Sequence, residues 1–254
     1  MINKKKILLT VAAALLSLGI AATAMAAPGQ FSVQADELEY DLKTGNGVAR
    51  GNVVLLQDGG KATADYATFN SKSKQGTLKG NVVADRDGSH IVCSEFIVHN
   101  ENDMSAVGNA SMSKDGRTIA ADRVDYYKLR EYAETTGGWA RLTDTDGSVL
   151  DAAKIDYDMK SGIATATGGV TIESQARKLS ASADRVIYET SKSGYVELIG
   201  NATATQNGNT VSGNKLRLTN GNVAIADGDV RIEYIPQQQP ALVNKEHAAE
   251  SKLA

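Results

Sequence analysis

Seven copies of one unit, about 30 residues long, fill most of this chain, and a period of that length means stacked supersecondary units. Each copy carries two short signatures. The first is Ala-Asp-x-apolar-x-aromatic, as in Ala35-Asp36-Glu37-Leu38-Glu39-Tyr40 and Ala121-Asp122-Arg123-Val124-Asp125-Tyr126. Its copies start at Ala35, Ala64, Cys93, Ala121, Ala152, Ala183 and Gly213, which are 29, 29, 28, 31, 31 and 30 residues apart. The second is Gly-Asn-Val or a relative, at Gly51, Gly80, Gly108, Gly138, Gly168, Gly200 and Gly228, always 15 to 17 residues after the start of its copy.

Within each unit the hydrophobic period is two, so the units are made of strands. Two residues before the glycine stand Ala49, Leu78, Ala106, Thr136, Ala166, Leu198 and Ala226. Two after it stand Val53, Val82, Ala110, Ala140, Val170, Ala202 and Val230. Four after it stand Leu55, Ala84, Met112, Leu142, Ile172, Ala204 and Ile232. Only Thr136 breaks the apolar pattern, which predicts half-buried strands with one dry and one wet face. In the first signature the inward residues shift from even to odd spacing at the Asp (Ile119/Ala121, then Val124/Tyr126). A β-bulge makes such a shift, so a kink is expected at every Ala-Asp step. The Asp recurs once per unit (Asp36, Asp65, Asp122, Asp184), which implies a structural role capping backbone N–H groups at the kink.

Asp58-Gly59, Asp87-Gly88, Asp115-Gly116, Asp146-Gly147 and Asn207-Gly208 separate the units. Such dipeptides favour type I′ hairpins and hence antiparallel neighbours. All three prolines (Pro28, Pro236, Pro240) fall outside the repeats, as an uninterrupted hydrogen-bond ladder requires. The expected fold is all-β: a solenoid-like stack of antiparallel strands, about fourteen or more, without a long helix.

The two ends read differently. Lys4, Lys5 and Lys6 precede an apolar run and an Ala24-Met25-Ala26 site, the layout of a secretory signal peptide over residues 1–26, cleaved after Ala26. Retention as a membrane anchor is the alternative. Residues 27–235 form the repeat domain, and residues 236–254 a disordered or short helical tail. With 27 basic and 30 acidic residues and no later Lys/Arg cluster, the chain lacks a footprint for nucleic acid. One cysteine, Cys93, excludes a disulfide framework and sits in an Ala slot as a small apolar residue.

An exported chain of tandem AD-x-apolar-x-Tyr, D-x-x-TG and GNV units resembles the OstA-like family, also called the LptA family. The first repeat, ADELEYDLKTGNGVARGNVVLLQDGGKATAD, carries the pattern most fully, and the resemblance spans residues 31–235. It departs at Cys93-Ser94 in place of Ala-Asp, at Trp139 in place of Asn, and at Gly213-Asn214. The resemblance implies a twisted β-jellyroll around an apolar groove. It further implies a periplasmic protein that carries lipopolysaccharide, or a similar glycolipid, toward the outer membrane along a bridge of related jellyrolls.

An acyl chain of about a dozen CH₂ groups costs on the order of 10 kcal/mol to expose to water, so such a carrier must shield it. Ala49, Val53, Leu55, Leu78, Val82, Met112, Leu142, Val170, Ile172, Leu198, Val230 and Ile232 are the candidates to line that groove. A closed, packed core would show the same alternation, which leaves an exported structural or surface β-repeat protein as the other reading. The stack also has two edges. Phe31, Val33 and Ala35 on the first strand, with Ile232 and Tyr234 on the last, are candidates for docking, head-to-tail with another copy or with related proteins. No metal site and no cofactor are implied. His90, His99 and His247 lack partners at metal-ligand spacing, and no nucleophile elbow, phosphate loop or other catalytic motif is present, so an enzyme is not implied.

Overall fold

The alternation is satisfied by one antiparallel sheet of seventeen strands. The computed structural model describes residues 31–234 except 58–59, 87, 101, 159, 190–194 and 220–223. The expected leader, its cleavage site and the tail lie outside the described residues. β1 (Phe31–Gln34) and β2 (Glu37–Tyr40) are halves of one long line, both paired with β3 (Asn46–Gln57). A meander follows through β4 (Gly60–Asn70), β5 (Gln75–Arg86), β6 (Ser89–Val98), β7 (Asp103–Lys114), β8 (Arg117–Tyr127) and β9 (Tyr132–Thr143). The next line is split again, into β10 (Val149–Ala152) and β11 (Lys154–Asp158), each paired with β9 and with β12 (Ile163–Ser174). Then come β13 (Leu179–Glu189), β14 (Val196–Gln206) and β15 (Asn209–Leu218), and β16 (Ala224–Asp227) and β17 (Arg231–Glu233) share the last line beside β15. With split lines counted once there are fourteen, two per repeat. The one helical element among the described residues is a 3-10 turn at Lys128–Arg130.

Every repeat kinks where the sequence changes phase, but the extra residue lies on the glycine strand. Arg50 pairs with Tyr66 and Val53 with Ala64, so Gly51 and Asn52 together oppose Asp65 alone. Both are left-handed (φ 72° and 46°), a conformation glycine adopts freely and asparagine tolerates. The Asp does not cap backbone N–H groups there, among the hydrogen bonds described. Its carboxylate instead accepts the Asn side-chain amide across the strands, at 2.9 Å in Asp36–Asn52, Asp65–Asn81 and Asp184–Asn201. These clasps run in a row along the outside of the bend.

The Thr136 exception has a structural cause. Three residues, Gly137, Gly138 and Trp139, stand against Asp122 alone. The wider bulge turns Thr136 outward and puts Thr135 inside, buried, where its hydroxyl accepts the Ile155 N–H at 2.8 Å. Trp139 replaces the clasp asparagine, and its Nε1 donates to Asp122 at 2.7 Å. The turns divide similarly. Asp115-Gly116 (φ 50° and 79°) and Asn207-Gly208 (φ 51° and 85°) have the two positive φ angles of a type I′ turn. Asp146-Gly147 does not form one. It lies in a wider loop closed by Asp144 N–H to Ser148 O (2.8 Å) and Gly147 N–H to Asp144 O (3.0 Å).

The bulges divide every line into two arms. The first arm reaches the Asp-Gly and Asn-Gly turns, and the second reaches the looser turns at the other end. Inward residues of both arms form a single core cluster, in which Val53, Val82, Leu198 and Leu216 are fully buried. A one-layer sheet cannot bury such residues completely; the arms fold face to face along the row of bulges. The outer faces differ. Cross-strand ion pairs recur along the second arm, including Arg50–Glu39, Lys79–Glu95, Lys154–Glu134 and Lys215–Glu197. Singly such exposed pairs contribute little, but their charges keep that face wet. The outer face of the first arm is richer in Ser and Thr, such as Thr171, Ser182, Thr203 and Ser212.

Candidate functional site

Alternation along fourteen lines places one continuous apolar strip between the arms. Ala49, Val53, Leu55, Leu78, Val82, Val170 and Leu198 are buried in it, and Met112, Leu142 and Ile172 are partly buried against it. The remaining two groove candidates differ: Val230 is 49% exposed and Ile232 68% exposed, because no further strand covers the last line among the described residues. Of the edge candidates, Phe31 starts β1 opposite Gln57, Val33 and Ala35 are partly buried against the core, and Tyr234 is 69% exposed. On the opposite edge Leu38 of β2 is 50% exposed. The strip is therefore covered along its length and uncovered at its ends.

It is also unevenly filled. A cavity of about 130 Å³ opens between the arms at β9–β14. Leu142, Leu150 and Ile172 line it from the first arm, and Ile155, Ala164, Ala166, Val186 and Val196 from the second. The alanines create the space, since each leaves a gap where a neighbouring repeat has a larger residue. Polar groups gather only at the rim, where Asp144 and Ser148 come from the first arm and Tyr188 from the second. Arg117 Nε donates to Asp144 Oδ1 at 2.8 Å, and the Ser148 and Ser174 hydroxyls lie 2.7 Å apart. Burial alone would raise the Asp144 carboxyl, but Arg117 and the Thr145 N–H hold it below its ordinary value. Its partner Arg117 is raised in turn by that hydrogen bond. The chamber is apolar within, and its polar groups border solvent at the rim.

The other titratable groups belong to the scaffold. Cys93 is buried on the inner face, and desolvation pushes its thiol up to about 11, which keeps it protonated and unreactive at neutral pH. His90 Nδ1 lies 2.6 Å from Asp85 Oδ1 on an exposed turn, and His99 Nε2 lies 2.8 Å from Ser105 Oγ. Ser105 also donates to Asp125, and Arg123 pairs with Asp125, whose carboxyl is raised by burial but held below its ordinary value by Arg123 and Ser105. Burial and a hydrogen bond to Asp156 push Tyr132 up to about 12. Among the described residues no group of three or more His, Cys, Asp or Glu could hold a metal ion.

The rim was not legible from periodicity. Arg117 and Asp144 sit beside turns, where the period-two pattern ends. Tyr188 is only the last aromatic of its signature, and nothing local marks it as facing them.

No curated protein matches the chain. Among solved structures it is similar to LptH of Pseudomonas aeruginosa, described as the LptA-homologous periplasmic component of the conserved lipopolysaccharide transport device. The identity is 17%, over 81% of this chain and 95% of that one, with a TM-score of 0.18, so no geometry carries over from it. The family model for OstA-like proteins matches residues 70–199, just over half of the chain and the stretch that contains the cavity. With its repeats, bulges and apolar strip, this chain belongs to the OstA-like protein family.

Proposed function

We propose that the chain is a periplasmic carrier and bridge element for lipopolysaccharide, holding its acyl chains between the two arms and helping to move it toward the outer membrane. The observation that carries the reading is the apolar chamber lined from both arms, set in a strip that is uncovered at both ends. The exported leader expected at residues 1–26 and the family membership support it. The solved relative, named as a component of a lipopolysaccharide transport device, is consistent with it.

Complete burial of Val53, Val82 and Leu198 favours a second reading, an exported structural β-repeat protein with a closed core. Mass spectrometry of lipid extracted from the purified protein separates the two. Lipopolysaccharide or a similar glycolipid at near-stoichiometric amounts supports the carrier, and a lipid-free protein supports the closed core.

The uncovered edges supply the bridge. The last line keeps Ile232 and Val230 exposed, and beside it β15 is covered by only four residues of β16 and three of β17. Another jellyroll can add a strand there, joining two strips end to end. Ile232→Pro should therefore reduce self-association, or association with related envelope proteins, by tenfold or more in analytical ultracentrifugation, with the circular dichroism unchanged. Association at the wild-type level would remove the edge from the account.

A further inference from the structure

The seven repeats provide an internal standard for the outer ridge. Asp36–Asn52, Asp65–Asn81 and Asp184–Asn201 close it with polar clasps, and in the third repeat the Ser94 hydroxyl donates to Gly108 O instead. At the centre the asparagine is replaced by Trp139, the only tryptophan of the chain, 40% exposed and held against Asp122 by its Nε1. On the next line the Asp is replaced by Ala153, and on the line after that the Gly-Asn pair is Gly168-Gly169. A Cβ added at Gly169 would meet nothing within 4 Å, so the ridge is open there. The next clasp is Asp184–Asn201. The result is a notch with an indole as one wall, a floor without long side chains, and a carboxylate and amide as the other. From β9 to β13 it spans three interstrand spacings, roughly 14 Å.

We propose that this notch binds a neutral glycan strand, one sugar ring stacked on Trp139 and its hydroxyls reaching the Asp184–Asn201 clasp. A pyranose ring has a face of C–H groups that rests on an aromatic face and a rim of hydroxyls that hydrogen-bonds to carboxylate and amide, and the notch presents both. The indole is already fixed by its hydrogen bond to Asp122, so little rotamer freedom is lost on binding. Beside the notch the carboxylates of Asp122 and Asp184 alternate with Arg123, Lys154 and Arg185, so the ridge offers no net charge to hold a phosphorylated or carboxylated saccharide in preference to a neutral one. The notch lies on the back of the bend, away from the chamber rim, so its ligand is a separate polymer and not the sugar of a lipid held between the arms. This inference does not depend on the lipid reading. A carrier with such a notch would be tethered to a polysaccharide mesh while its interior conducts lipid.

The test uses the full chain and the neutral β-1,4-linked tetrasaccharide chitotetraose. Because Trp139 is the sole tryptophan, its fluorescence reports the notch directly. Titration should give a saturable change in emission, and calorimetry should give the same affinity. The double variant Ala153→Asp/Gly169→Asn rebuilds the clasp seen at Asp184–Asn201. It should keep the fold and the fluorophore and lose binding by at least tenfold. Trp139→Ala, followed by calorimetry, should lose it as well. A lipid-free, phosphorylated core oligosaccharide of lipopolysaccharide should bind no more tightly than chitotetraose. No saturable response to chitotetraose, an unchanged response in the folded double variant, or preference for the phosphorylated saccharide would overturn the proposal. Lipid content measured on the same samples keeps its failure distinct from failure of the carrier reading.

Discussion

Ile172→Asp should remove bound lipid from the purified protein while leaving the sheet intact. Ile172 lines the chamber from the first arm, opposite Leu150 on one neighbour and Ala181 on the other, with no basic side chain among the chamber residues. A carboxylate there would have to lose water when an acyl chain enters and would gain no partner, at a cost of about 3 kcal/mol or more. That corresponds to roughly a hundredfold loss in occupancy. The site is partly open, so without lipid the new carboxylate can stay hydrated and folding is affected less. The matched control is Thr171→Asp, one residue away on the exposed outer face. Lipid content measured by mass spectrometry should fall in the first and not in the second; equal lipid in both would show that the tails do not lie in the chamber.

The second large effect concerns the bend. Gly80 and Gly88 both have φ of 75°, so replacing either with alanine imposes the same left-handed strain, about 1–2 kcal/mol. Their surroundings differ. A Cβ at Gly88 meets nothing within 4 Å, whereas at Gly80 it would lie 2.3 Å from Asp65 Oδ2 and 2.9 Å from Asp65 Cβ. Asp65 would have to swing away and give up Asn81, adding about 1–2 kcal/mol. Gly80→Ala should therefore lower the urea midpoint clearly more than Gly88→Ala. Equal losses would mean that the clasp does not hold the bend.

The clasp illustrates what sequence reasoning reaches and where it stops. Period-two alternation identified the strands, their inward residues and the kink, because each depends only on residues close in sequence. It placed the extra residue at Ala-Asp and not at Gly-Asn, since a phase change in one strand does not say which partner carries the bulge. It also assigned Thr136 to the inner face, although one additional residue between Thr136 and Ala140 reverses that assignment. Repeat arithmetic cannot detect this within a spacing that varies by two residues. The chamber was less legible still. Leu55 and Ile172 occupy the same position in their repeats, yet one is buried and the other borders open space. The difference depends on how two arms pack across the fold, and on which strand places two alanines on its inner face, as β12 does with Ala164 and Ala166. Val230 and Ile232 follow the inward pattern perfectly, but they are exposed because the stack ends beside them.

The central claim, that acyl chains lie between the arms, is tested most directly by photocrosslinking in cells. A benzophenone side chain at Leu142 faces the chamber, and one at the neighbouring Arg141 faces solvent on the outer surface, where the native arginine pairs with Asp151. The account predicts a crosslink to lipopolysaccharide or a similar glycolipid at position 142 and none at 141. Capture at 141 alone, or at neither position in a protein that still folds, would contradict it.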